Sequence, residues 1–337
     1  KIKPFPKALS LRHLIGPSFI LLGLGLGSGE VILWPYLTSN YGMGIIWAAV
    51  LGITFQFFMN MEIARYALVK GESVFVGLNK KFKWAAHWFI LSTFIGFGIP
   101  GIIAASAKVA ASVLGISEHK WIAIGFLILI GLILSAGKTV YGMMEWLTKR
   151  ILLIGTPFIF ILAVMLAKPE HWTALGRGLI GIGEGFTFLP AGISFVTFLA
   201  AFVYAGAGGN LNLTQSIYVK EKGYGMGKYA QRIAGLFSSK RHEQIRLSGE
   251  DCEMTKENCN RFRTWWKRVS IEHLIVFWFM GLITMSMLML LSYSTTFITG
   301  LGQGEGIDFV INEGLAITQQ VAPVVGTLFL AAVVIML

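Results

Sequence analysis

Acidic residues are scarce in this chain. Seventeen Asp and Glu stand against 28 Lys and Arg in 337 residues, and charged residues of all four kinds make up only 13%. Soluble domains carry roughly 25%, so that class is excluded. Cysteine is nearly missing too. Cys252 and Cys259 share one polar stretch at a spacing that fits no zinc pattern, and they are expected as reduced thiols facing the cytosol. The six histidines lie in or beside loops, and no nucleophile sits near a base. These shortages argue against an enzyme and imply no cofactor.

Apolar sequence is abundant instead. Hydrophobic residues make up 55% of the chain and the mean hydropathy is +0.69, the profile of a polytopic membrane protein. The net charge of +11 does not point to nucleic acid, because the cations fall between apolar spans; the lipid bilayer is the expected partner. The first apolar segment is too long and too interrupted for a signal peptide. The chain lacks an initial Met and stops inside the apolar run Thr327 to Leu337, so it reads as a piece of a longer protein.

Hydropathy predicts eight spans, at 14–39, 44–69, 85–113, 121–137, 151–167, 190–219, 271–294 and from 321 onward. Each approaches the ~20 residues needed to cross a bilayer. Counting Lys and Arg between them gives 23 on one side and 3 on the other, which places the N-terminus in the cytoplasm of a cell-membrane protein. It also makes 220–270 a basic cytoplasmic loop, of which 238–263 reads as polar and mobile. The outer side receives a connection over 168–189 and a loop over 300–320.

Two spans are broken in their middle. The first break reads LGLGLGSGE, with Gly23, Gly25, Gly27 and Gly29 where a spanning helix should be most regular. Each glycine costs a helix about 0.5–1 kcal/mol relative to alanine, so this turn is expected to unwind. The second break, YAGAGGN, runs from Tyr204 to Asn210 and holds Gly206, Gly208 and Gly209. Irregular backbone at membrane depth survives only inside protein or along a cavity. Two interrupted helices in matching halves point to a transporter's binding site. Five spans precede the sixth, so the two broken spans are antiparallel, as in a five-helix inverted repeat. The first repeat then covers 1–167, and an incomplete second covers 190–337.

The run from Gly16 to Trp47, GPSFILLGLGLGSGEVILWPYLTSNYGMGIIW, resembles the opening of the NRAMP divalent-metal transporters, in the amino acid–polyamine–organocation superfamily. The early Gly-Pro, the broken helix and the following YG…IW carry the likeness. NLNLTQSIYV, from Asn210 to Val219, resembles the family's stretch after its second break, and the Leu189-Pro190 lead-in agrees. The resemblance implies an all-α, LeuT-like 5+5 inverted repeat with discontinuous helices 1 and 6, cut short in helix 8. It also implies proton-linked uptake of Mn²⁺ or Fe²⁺. At the metal positions the chain departs from the family. Asp-Pro-Gly-Asn is replaced by Gly27-Ser28-Gly29-Glu30, Met-Pro-His by Ala207-Gly208-Gly209, and the acidic pair of helix three has no counterpart between Ser92 and Ala105.

Glu30 is the only carboxylate at a break. An acid at membrane depth costs ~2.5 kcal/mol or more and is a functional hypothesis by default. It either ligates a cation with carbonyls released by the unwound turns, or caps the outer half-helix together with Ser28. Asn210 and Asn212 offer amide oxygens, or else interhelical hydrogen bonds. The full candidate set for substrate or metal is Gly27, Glu30, Tyr204, Ala207, Asn210 and Asn212. All its donors are oxygens, which favours Mg²⁺, Mn²⁺ or Ca²⁺ over softer ions. Three further charges are candidates for coupling. Lys108, by its rise along the third span, lies near the outer surface, where a lysine snorkels. Glu62 and Arg65 are spaced to pair at the cytoplasmic interface. The methionines at 280, 285, 287 and 289 read as core. The glycine-rich turn is not a nucleotide loop, since that needs a strand before it.

Three functions remain open at this point. The first is a secondary transporter of a divalent cation, with protons as a coupling ion. The second is the same fold carrying a small organic solute such as an amino acid or amine. The third is a transport-inactive membrane scaffold or sensor.

Overall fold

A computed structural model describes residues 2–10, 14, 16–98, 101–137, 139–233, 247–302 and 304–337, apart from the side chains of Ser28 and Phe97. Arg12, Lys138, most of the supposed mobile stretch before Leu247 and the Ser28 hydroxyl expected as a cap fall outside the description.

The chain is all-α and polytopic. Five helical stretches among the described residues are long and apolar enough to cross a bilayer, and a pair bent by 41° at the first break makes a sixth. That pair is α1 (Pro17–Gly25) and α2 (Trp34–Tyr41), joined by a π-helical turn over Ser28–Leu33. Pro35 stands at the start of α2. A proline ring crowds the carbonyl four residues back, here that of Val31, and the widened π turn is where that carbonyl lies.

The long helix α3 (Ile46–Lys70) follows, then short α4 (Val74–Lys81), α5 (Ala85–Phe97), α6 (Gly101–Leu114), α7 (His119–Ala136) and α8 (Val140–Leu166). No residue of α7 is buried, as a lipid-facing apolar helix requires. The expected fifth span was too short: α8 begins at Val140, because Thr139 Oγ1 accepts a bond from Gly142 N (3.1 Å) and caps it.

The connection over 168–189 holds α9 (Pro169–Gly178) and an antiparallel bridge between Ile182 and Thr187. The sixth span is split into α10 (Phe195–Val203) and α11 (Gly209–Lys222).

The seventh span departs most from expectation. It starts not at 271 but at 256, as α12 (Lys256–His273), and continues through a π turn over Leu274–Phe279 into α13 (Met280–Ser292) and a second π turn over Tyr293–Phe297. Thr255 caps it by accepting from Asn258 N (3.2 Å). Residues 256–270 of the basic loop are therefore helix, and one face of α12 holds the N-terminal segment. Asn258 Oδ1 accepts from Phe5 N (3.0 Å), while Arg261, Trp265 and Arg268 donate to the carbonyls of Phe5, Pro6 and Ala8. A two-residue parallel pairing of β1 (Ile2–Lys3) with β2 (Asp251–Cys252) extends the contact.

The outer loop over 300–320 also proves helical, as α14 (Ile307–Gln320), and α15 (Pro323–Met336) follows. The main core gathers α1, α2, α3, α13 and the break residues Ala205 and Ala207. Met285 and Met289 are fully buried in it, so these methionines are packing.

Candidate functional site

The two breaks meet. A Cβ on Gly25 would stand 2.9 Å from the carbonyl carbon of Gly206 and 3.2 Å from Glu30 Oε1. A Cβ on Gly29 would strike the Tyr204 carbonyl oxygen. Only glycine permits this approach, because any side chain would fill the gap. Gly206 (φ +125°), Gly208 (φ +70°) and Gly209 (φ +49°) also hold backbone conformations that other residues rarely adopt. The glycines thus serve contact between the breaks as well as unwinding. Gly23 serves a different neighbour, meeting the Thr148 side chain of α8. Gly27 is half-buried and its carbonyl accepts from Val31 N (3.2 Å).

Gln56 of α3, which sequence reasoning missed, bridges the second break. Its Nε2 donates to Val203 O (2.8 Å) and its Oε1 accepts from Gly208 N (3.2 Å). It therefore satisfies one orphan group at each severed helix end, the last carbonyl side of α10 and the first amide side of α11. Gly52, one turn earlier, lets Phe202 and Ala205 pack directly on α3; a Cβ there would be 2.8 Å from that of Ala205. A single glutamine inside an apolar span was the available signal.

Glu30 is fully buried, and among the described residues neither carboxylate oxygen has a hydrogen-bond partner. It lies in the first turn after the break but does not bond the turn's amides. Its Oε1 faces Gly25 and, at 3.9 Å from the position of a Cβ, Gly281 of α13. Leu22 and Ile53 pack against Gly281, and Phe277 packs against Gly206. An unpaired buried charge is expensive, so this carboxyl requires either a proton or a cation. The Tyr204 carbonyl packs against the neighbouring Gly29, and Ala207 is buried.

The remaining candidates separate. Asn212 is buried, with its Oδ1 unpartnered among the described residues. Asn210 turns to α5, donating to Ser92 Oγ (2.8 Å) and Thr93 Oγ1 (3.2 Å), so it makes interhelical bonds. Lys108 Nζ pairs with Asp308 Oδ1 of α14 at 2.7 Å, and both side chains are about half exposed. Glu62 and Arg65 pair with each other in the open. None of these three charges reaches the breaks. Among the described residues no three His, Cys, Asp or Glu side chains converge on a metal-sized space.

No family model matches the chain, and no curated protein matches it in sequence. Among solved structures, that of Mhp1, a nucleobase-cation-symport-1 family transporter in a closed conformation with bromovinylhydantoin bound, is similar. The match covers 98% of this chain and 62% of that one, with a TM-score of 0.57 and 15% identity. This chain therefore spans 62% of that protein's length. The likeness is one of fold and does not single out the NRAMP family. The architecture is LeuT-like, an all-α membrane fold with discontinuous first and sixth spans.

Proposed function

We propose that this chain is the larger part of a secondary transporter that carries a small organic solute together with a cation, bound between the two breaks. The observation that carries this reading is the meeting of Gly25 and Gly206 beside the unpartnered Glu30 carboxyl. Backbone amides and carbonyls at severed helix ends are the donors and acceptors a polar solute needs, and half-helix ends suit ions. The neighbourhood of Glu30 is otherwise apolar, with Leu22 and Ile53 packed at Gly281 and Phe277 at Gly206, which suits a flat or aliphatic body better than an ion's oxygen cage. The bound hydantoin of the similar fold supports the same class.

Residues 1–167 and 190–337 act as the two repeats, and the strongly basic side, with the N-terminus, faces the cytoplasm. A second reading, a divalent metal as substrate, is favoured by one observation, the naked carboxylate of Glu30. Magnesium and calcium, however, ask for six or more oxygens, and one carboxylate with a few carbonyls is a sparse set.

Calorimetry on the purified full-length protein tests the two. Hydantoins, nucleobases, amino acids and amines form one panel, and Mg²⁺, Mn²⁺, Fe²⁺ and Ca²⁺ the other. Saturable heat from an organic member is expected. Binding of a metal alone, with no organic ligand bound, contradicts the proposal.

A further inference from the structure

On the inner side of the breaks, three buried groups join α1 to α12. Ser18 Oγ donates to Glu272 Oε2 (2.6 Å) and lies 2.8 Å from His273 Nδ1. Ser18 and His273 are fully buried and Glu272 is 6% exposed. Serine has one proton to give. Since it goes to the carboxylate, His273 Nδ1 must carry a proton and donate to the serine oxygen. The two outer ends of the chain, His273 Nε2 and Glu272 Oε1, have no partner among the described residues.

From this geometry we infer that Ser18, Glu272 and His273 form a proton-binding relay that fastens the inner half of the first span to α12. The step balances. A proton arriving at His273 Nε2 makes an imidazolium. Its Nδ1 proton then passes to Ser18 Oγ as the serine proton passes to Glu272 Oε2, leaving a neutral imidazole and a neutral carboxylic acid. No charge is left stranded in the buried site, which removes the penalty an isolated ion would carry.

The relay is aimed at the breaks. His273 stacks on Phe277 (4.7 Å between centroids, 3° apart), and a Cβ on Gly206 would touch the Phe277 ring at 3.0 Å. Gly281, another turn along the same face, borders Glu30. Phe57 of α3 also stacks on the imidazole at 5.5 Å, and Asn60, one turn on, is buried with both amide atoms unpartnered among the described residues. The titratable groups facing Glu272 are Lys149 and Tyr141 from α8 and Tyr224 from the turn after α11, and Glu145 of α8 faces both tyrosines. Glu145 is itself paired to Lys149 and Lys222, each at 2.5 Å.

A simpler role exists, an anion at the N-terminus of α1, and the test must separate the two. This inference rests on the transport reading for its purpose, though not for its measurement. Infrared difference spectra of the full-length protein, titrated from pH 5 to 9, read protonated carboxyl groups. Glu272→Gln should remove one titrating band. Ser18→Ala, which keeps both titrating groups, should move that band's midpoint by one pH unit or more. In liposomes under a membrane potential it should slow proton entry tenfold or more. Exposed Glu118→Gln should change neither. If Glu272→Gln fails to fold, His273→Gln, with its entrance removed, should shift the band in the same way. A titration that ignores Ser18→Ala, with unchanged proton flux, leaves only the helix-end role and overturns the relay. A titrating, serine-dependent band in a protein that takes up no solute would sink the transport reading and keep the proton site. Solute uptake with an inert band would do the reverse.

Discussion

Gly25 and Gly206, from helices running in opposite directions, touch at the centre of the bundle, with 2.9 Å between a Cβ on the first and the carbonyl carbon of the second. Gly206→Ala would add a methyl within 3.0 Å of both Gln56 Oε1 and the Phe277 ring, at φ +125°. Overpacking costs about 1–3 kcal/mol and the forced backbone about 1–3 more. Thermal unfolding in detergent should show a fall of several degrees in Tm; an unchanged Tm contradicts the packed contact.

Gln56→Leu keeps the bulk but leaves Val203 O and Gly208 N unsatisfied. Each abandoned buried group costs about 1–3 kcal/mol. Hydrogen exchange at Gly208 should speed up well before the flanking helices open, and protection equal to wild type would show that Gln56 does not hold the break.

The two breaks were legible because glycine clustering is a local signal, and their facing one another followed from the span count. Glu30 was legible as the lone acid there. Gln56 was not, because one polar residue in an apolar helix says nothing of which neighbour it meets. The helical extension at 256–270 was hidden by composition, since hydropathy windows discard charged sequence. Its trace was there nonetheless, in Asn258, Arg261, Trp265, Arg268 and Glu272 at helical spacing. Helix α14 was missed for the same reason. The partner of Lys108 lies 200 residues away in sequence, and no local pattern reaches that far.

Lys108 and Asp308 are both about half exposed, and such surface pairs contribute about 0–1 kcal/mol. Lys108→Ala should therefore lower Tm by little and leave gradient-driven uptake intact. Loss of uptake without loss of stability would restore Lys108 as a coupling charge.

Glu72, just beyond α3, gives a pH signature outside the membrane. Burial disfavours its charge, but bonds from Lys80 (2.8 Å), Tyr66 (2.7 Å) and Gly249 N (3.0 Å) outweigh that and hold its carboxyl below the usual range. A depressed folded pKa contributes stability that is present above the unfolded value, roughly 4.3, and is lost as pH falls through the folded one. Tm should therefore fall on acidification below about pH 4.3, and Glu72→Gln should flatten that limb. An equally steep limb in the variant would assign it to other groups.

Gradient-driven uptake into liposomes, comparing wild type with Glu30→Gln on the full-length protein, tests the central claim most directly. Gln keeps the size and one oxygen while removing the charge, and charge-assisted contacts are about twice as strong as neutral ones. The account predicts that wild type accumulates an organic solute under a cation or proton gradient. Glu30→Gln should lose tenfold or more of that accumulation, about 1.4 kcal/mol, while still exchanging solute at equal concentrations. Accumulation of the organic solute at the wild-type rate in Glu30→Gln, or uptake of Mn²⁺ alone that this variant abolishes, would contradict it.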